Sequence, residues 1–295
     1  MKAIFFLTNF FIRVSQKVTR LLVKFSKFLE PPGLHEQNVI KSTQYNMVSA
    51  QDEAYYAAQY MQFIRKHLEE ISNPSRILDL GCSQGRFTLQ LATLFPQASV
   101  IGCDISASAI ASAIQSARNL SVSNVQLSVQ SIAECLETIH SNTCDVIVMT
   151  EVTIFYPGWR DDFPKVIDCL KPGGLLIFSF RSRFFNALLI SRNRLWDKVS
   201  MLLNCSHGRI FDCPVEFSWE TSEDLRNLIV DKHKLQLIDL AGIGVLSGIA
   251  GDPHAHLVQP HHLSMREQQS LMQLELALAR EVPDAGRYIL VVARK

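Results

Sequence analysis

The chain has 295 residues, with 29 lysines and arginines against 28 aspartates and glutamates. That length is enough for one large α/β domain with its own core, and the balanced charge excludes the global basic field that gathers nucleic acid. The seven cysteines are odd in number, scattered and never in a C-x-x-C pair, which argues against a zinc ribbon or a secreted disulfide scaffold. They read as reduced, mostly small buried apolar residues.

The amino terminus is where charge is uneven. Lys2, Arg13, Lys17, Arg20, Lys24 and Lys27 precede the first acid, Glu30, while Phe6, Phe10, Val14, Val18, Leu21, Leu22, Phe25 and Leu29 recur at three- or four-residue steps. This spacing predicts a basic amphipathic helical arm over 1–30. Thr8, Asn9 and Arg13 interrupt the apolar stretch and no Ala-x-Ala follows, which disfavours a secretory signal. Arg13, Lys17 and Arg20 would fall inside a membrane span. Two readings stay open: an interfacial helix on an anionic membrane surface, or a helix packing its apolar side on the domain or a partner. A cytoplasmic protein with peripheral membrane association is the corresponding expectation.

Pro31-Pro32-Gly33 breaks that helix. Residues 31–73 read as a linker and helical lead-in, with a helix from about Asp52 to Glu70, and the main domain is expected over 74–295. There, short apolar runs alternate with helical stretches: Arg76 to Leu80, Ser99 to Asp104, Val125 to Val129, Cys144 to Met149 and Gly174 to Phe180. Such runs are what parallel strands covered on both faces look like, so a doubly wound, Rossmann-like α/β sheet is predicted. Leu235 to Leu240 and Tyr288 to Ala293 read as two later strands. Insertions are expected at about 181–221 and 242–286. Ser264 with Glu267 forms a capping box that starts a helix in the second.

The first strand carries the chemistry. Ile77-Leu78-Asp79-Leu80 runs into Gly81-Cys82-Ser83-Gln84-Gly85 and a helix follows, an arrangement that aims backbone N–H groups at a ligand beyond the strand's carboxyl edge. The glycines are not spaced as G-x-G-x-x-G, and the P-loop lysine is missing, so a nicotinamide enzyme and an ATPase both lose ground. The next strand, Val100 to Asp104, ends in an acid 23 positions after Gly81, near the separation at which a carboxylate reaches ribose hydroxyls.

Asp79, Gly81 and Gly85, followed by Asp104 and then by the turn Leu170-Lys171-Pro172-Gly173-Gly174, resemble the motifs of class I S-adenosylmethionine (SAM) dependent methyltransferases over about 75–180. The resemblance implies a mostly parallel seven-stranded sheet with an antiparallel terminal strand, and SAM as cofactor. It implies that Gly81, Cys82 and Gly85 let the backbone approach the cofactor, that Asp79 orients the methionine amine, and that Asp104, with Ile105 beside it, meets the ribose. The family's acid after the third strand is absent here, leaving Gln130, Ser131 or a backbone carbonyl to accept from the adenine amino group.

Glu151 ends the fourth strand and is a candidate for the site. Glu151, Tyr156 and His261 are the candidates for a base or positioning group. His254, His256, His261 and His262 lack an acidic or cysteine companion at fixed helical spacing, so no metal is expected. Arg181, Arg183, Phe184, Phe185 and Asn186 follow the fifth strand and either shape a pocket for an anionic or aromatic acceptor or form an insertion helix with its phenylalanines inside. No Asp/Asn-Pro-Pro-Tyr follows the fourth strand, which disfavours methylation of nucleic-acid bases. No C-x-x-x-C-x-x-C occurs, which excludes radical SAM chemistry. The later arrangement is similar to quinone-type and small-molecule O-methyltransferases and to sugar-modifying N-methyltransferases. Methyl transfer to a small, lipophilic acceptor at oxygen is the expectation, with N-methylation of a sugar or amine, and a non-catalytic SAM-binding scaffold, as alternatives.

Overall fold

The computed structural model describes Val48, residues 51–211 and residues 215–295. The helical arm expected over 1–30 lies outside the described residues. Among the described residues no helix is long and apolar enough to cross a membrane.

In chain order the elements are α1 (Gln51–Glu69), β1 (Arg76–Leu80), α2 (Thr88–Leu94), β2 (Ser99–Asp104), α3 (Ala107–Asn119), β3 (Val125–Val129), α4 (Ile132–Thr138) and β4 (Cys144–Met149). Then come α5 (Trp159–Cys169), β5 (Leu170–Arg181), α6 (Arg183–Arg192), α7 (Val199–Asn204), a small hairpin of β6 (His207–Gly208) and β7 (Phe217–Ser218), α8 (Ser222–Arg226), β8 (Gln236–Ile243), α9 (Met265–Leu278) and β9 (Tyr288–Arg294).

Seven strands form one sheet in the order β3-β2-β1-β4-β5-β9-β8, with β9 antiparallel to both its neighbours. This is the Rossmann-like, mostly parallel sheet expected from the sequence. Alternate residues of each strand feed opposite cores, as a period of two requires. On β4, Val146 and Val148 pack toward one side, and Ile147 and Met149 toward the other; on β5, Leu175 and Ile177 oppose Leu176, Phe178 and Phe180. Each large side chain so buried contributes about 1.5–3 kcal/mol, so both faces hold the sheet.

The helix read as a lead-in is part of the domain. Tyr56, Tyr60, Phe63, Ile64 and Leu68 of α1 are fully buried in the same core as Val146, Val148 and Ile177. Helix α9 begins as predicted: Ser264 accepts from the Glu267 N–H and the Glu267 carboxylate accepts from the Ser264 N–H at 2.9 Å. Strand β5 is longer than expected because the Lys171-Pro172-Gly173-Gly174 turn is taken into the strand, with Gly173 in the left-handed region (φ 80°). The 181–221 insertion holds α6, α7 and the hairpin. Within it Phe185 is buried and Phe184 is half-exposed, so one of the two phenylalanines packs inside.

Candidate active site

Parallel strands pointing the same way bring the ends of β1, β2 and β4 to one edge of the sheet. Register pairs Leu80 with Cys103 and Asp79 with Val148, which sets the loops after these strands side by side. The β1–α2 loop is drawn over β2: the N–H groups of Gly81 and Cys82 both donate to the Cys103 carbonyl at 2.9 Å. Gly81 and Gly85 have φ of 74° and 81°, and Ser83 joins them in the left-handed region at 47°. A Cβ on Gly81 would stand 2.3 Å from Val152 Cγ2, so only glycine allows the two loops to meet.

Two carboxylates frame this loop in different states. Asp104 is half-exposed; one oxygen accepts from Ser83 N–H (2.9 Å) and the other from Ser106 N–H (2.8 Å), leaving lone pairs on both. Asp79 is buried and accepts from the Thr88 hydroxyl at 2.5 Å. Burial pushes its carboxyl up to about 6, against the lowering pull of Thr88 and Arg86. Ile105, next to Asp104, is 75 % exposed, an apolar platform at the sheet edge.

Of the residues after β3, Ser131 caps α4 through a capping box with Glu134, which engages both its hydroxyl and its N–H. Gln130 is half-buried, and its side-chain oxygen accepts from Ser128 at 3.0 Å.

Glu151 adopts φ 61°, a conformation costly for a residue with a side chain, and its N–H donates to the Ser179 hydroxyl at 2.7 Å. Its carboxylate pairs with Arg86 at 3.0 Å, and Arg86 pairs with Glu53 of α1 at 2.8 Å. This buried triad, which no sequence spacing announces, fastens α1 to both loops of the edge. Tyr60 stacks edge-on against Phe87 at 5.5 Å, in the same corner.

The three candidate bases are all engaged. Glu151 is ion-paired. The Tyr156 hydroxyl donates to Asp162, and burial with this bond pushes its pKa well above the ordinary phenol value. His261 Nδ1 lies 2.8 Å from Asp52, whose other oxygen accepts from the His261 N–H at 2.9 Å, stapling the Pro260–His262 turn to the start of α1. His254 is buried against Phe185, and burial lowers its pKa. Among the described residues no group of three or more His, Cys, Asp and Glu gathers as metal ligands do. Cys82, Cys103, Cys135, Cys144 and Cys169 are buried free thiols, while Cys205 is exposed.

A Rossmann-like sheet with a glycine loop and two acids at the ends of its first two strands defines a methyltransferase of class I architecture. The chain belongs to the methyltransferase domain family, whose model matches residues 71–233. It is similar to trans-aconitate 2-methyltransferase of Streptomyces coelicolor, 34% identical over 113 residues (38% of this chain and 37% of that protein). The enzyme of the same name from Deinococcus radiodurans is 33% identical over 107 residues (35% of this chain and 36% of that protein). The matched segment thus spans little more than a third of the length of these relatives. Magnesium protoporphyrin IX methyltransferase from Synechocystis has the same fold, at TM-score 0.52 and 16% identity, over 89% of this chain and 94% of that one. N-methyltransferase NodS from Bradyrhizobium japonicum gives TM-score 0.50 and 17% identity, over 90% of this chain and 97% of that one.

The family's cofactor is SAM, and the residues at this edge fit it. Asp104 offers two oxygens, already oriented by backbone N–H groups, to a ribose diol. Asp79 offers a carboxylate where SAM brings positive charge. The loop at Gly81 admits no side chain.

Proposed function

We propose that the protein transfers a methyl group from SAM to a small-molecule acceptor at oxygen. The observation that carries this reading is the pair of carboxylates, Asp79 and Asp104, on either side of a glycine loop held in the left-handed region. In this reading Asp104 holds the ribose, Asp79 the methionine ammonium, and the backbone at Gly81, Cys82 and Gly85 lies along the cofactor. Ile105 packs on the adenine. Gln130, or a backbone carbonyl beside Ser131, accepts from the adenine amino group.

Bound SAM supplies an activated methyl group. The chain's own work is to hold the acceptor in line with it and to keep water out. Glu151 and Arg86 contribute by fixing α1 over the edge. Residues 1–30 serve as a basic amphipathic arm that meets a membrane surface; its charge and periodicity support this, and a liposome flotation assay with and without those residues tests it.

Calorimetry tests the central claim. SAM should bind the wild type, and Asp104→Ala should weaken binding about a hundredfold through loss of two charge-assisted hydrogen bonds. No binding, or equal binding by Asp104→Ala, overturns the reading.

A further inference from the structure

Among the described residues three arginines are buried: Arg86, Arg181 and Arg287. Two have counter-charges, Arg86 with Glu53 and Glu151, and Arg287 with Asp252 at 2.8 Å. Arg181, the last residue of β5 and 3 % exposed, has no such partner among the described residues. Its guanidinium lies between two aromatic rings, 4.3 Å from the centroid of Phe185 and 4.2 Å from that of Tyr288. It donates to Tyr288 Oη at 3.0 Å and, at the limit of hydrogen-bond reach, to the Arg287 carbonyl at 3.5 Å; its Nε–H meets no protein acceptor. A guanidinium cannot shed its proton to escape burial. The rings fix its plane and offset part of the cost, but a buried cation with an unmet donor calls for an anion.

Its position says which anion. Ser179 and Arg181 are two apart on β5 and share one side of the sheet. The Ser179 hydroxyl receives the Glu151 N–H, which levels Arg181 with the loop at the end of β4, beside the cofactor edge. Tyr60 of α1 is fully buried on the same side, and its hydroxyl lies next to Ser179 without a well-formed hydrogen bond to any described residue.

We propose that the methyl acceptor is a carboxylate, received by Arg181 with the Tyr60 hydroxyl beside it, and that the product is a methyl ester. This rests on the methyltransferase reading above. A carboxylate oxygen supplies the electron pair for the new C–O bond, and the methyl–sulfur bond breaks with its pair going to sulfur. The anion and the sulfonium become a neutral ester and a neutral thioether, and no proton moves. The absence of proton transfer agrees with a site in which Glu151, Tyr156 and His261 are all tied to other side chains. Cancelling opposite charges in a buried setting also favours the transfer.

The full chain is incubated with SAM labelled in its methyl group and a small-molecule cell extract, and the product is then treated with mild alkali. A methyl ester releases volatile labelled methanol; ethers, N-methyl and C-methyl products keep their label. We expect alkali-labile label. Arg181→Gln should reduce it at least thirtyfold at limiting acceptor, while the calorimetric Kd for SAM stays within twofold. Tyr60→Phe removes a hydroxyl whose polar neighbour is Ser179, so it should cost little thermal stability and yet raise the acceptor KM about threefold to tenfold. If Arg181→Gln fails to fold, Arg181→Lys and Tyr60→Phe decide, with SAM affinity reporting an intact fold. Alkali-stable label, SAM binding without any transferred label, or wild-type KM in the variants that still bind SAM overturns the proposal. Failure of the wild type to bind SAM overturns the methyltransferase reading itself, and the carboxylate proposal with it.

Discussion

The two halves of the sheet are built on different terms. In the half formed by β1, β2 and β3 the site is made of backbone: Gly81, Ser83 and Gly85 in the left-handed region, and an Asp104 carboxylate anchored by N–H groups within 21 residues of it. Around β4, β5 and β9, and across to the loop after β1, side chains from distant parts of the chain meet. Arg86 reaches Glu53 and Glu151, Asp52 meets His261 across 209 residues, and Arg287 meets Asp252. A cofactor common to a whole family can be held by a local loop. In the proposed reading, an acceptor particular to one member is met by charges that only the closed fold assembles. Breaking the second kind of site should therefore cost fold as well as function.

The largest effect is expected at the triad. Arg86→Leu leaves Glu53 and Glu151 buried without their shared cation, and should destabilise the protein by roughly 3–5 kcal/mol in denaturant unfolding. A loss under 1 kcal/mol would mean that α1 is held by its apolar side alone. Next comes Gly81→Ala, whose Cβ would fall 2.3 Å from Val152 in a backbone conformation that costs about 1–2 kcal/mol for an L-residue. SAM affinity should fall at least tenfold, and adding Val152→Ala should restore part of it. No recovery would place the cost in the backbone alone.

A pH series sharpens the contrast between the two acids. Burial holds the Asp79 carboxyl at about 6 in the free protein, whereas the ammonium of bound SAM favours its ionised form. Binding then releases a proton below that value, so the Kd should tighten about tenfold from pH 5 to 7 and level off above. Asp79→Asn should flatten the profile. The sign for folding is opposite. The native carboxyl holds its proton more tightly than the unfolded one, so this group's contribution is fully present below 3.8 and is lost as the pH rises through about 6. The smallest effect is at Ser264→Ala, which removes the cap of α9 far from the cofactor loop. It should lower stability by about 1 kcal/mol, measured by thermal unfolding, with SAM affinity unchanged.

How much was legible in the sequence follows the same division. The strands β1 to β4 match their apolar runs residue for residue, because a strand buried on both faces leaves a continuous apolar signature. Asp79, Gly81, Gly85 and Asp104 were legible because loop and strand end are neighbours in sequence as in space. Helix α1 was recognised as a helix but not as part of the core, since periodicity reports that one side is apolar and not what covers it. Arg86 directly follows the last glycine of the loop and gave no sign of its partners. Arg181 was visible as a residue after the fifth strand, open to two readings, an acceptor pocket or the start of an insertion helix, and its want of a carboxylate emerged only when Arg287 was seen to take Asp252.

By itself the sequence determined the sheet, its glycine loop and the capped start of α9, because alternation, glycine conformation and helix capping act over a few residues. The tertiary structure decided which charges are paired and which is left unpaired. Ion pairing depends on distance in space, and Glu53, Arg86, Glu151, Arg181 and Arg287 are scattered along the chain. The cation at Arg181, without a counter-charge among the described residues, is therefore a product of packing, legible only once Arg86 and Arg287 are seen to have taken theirs.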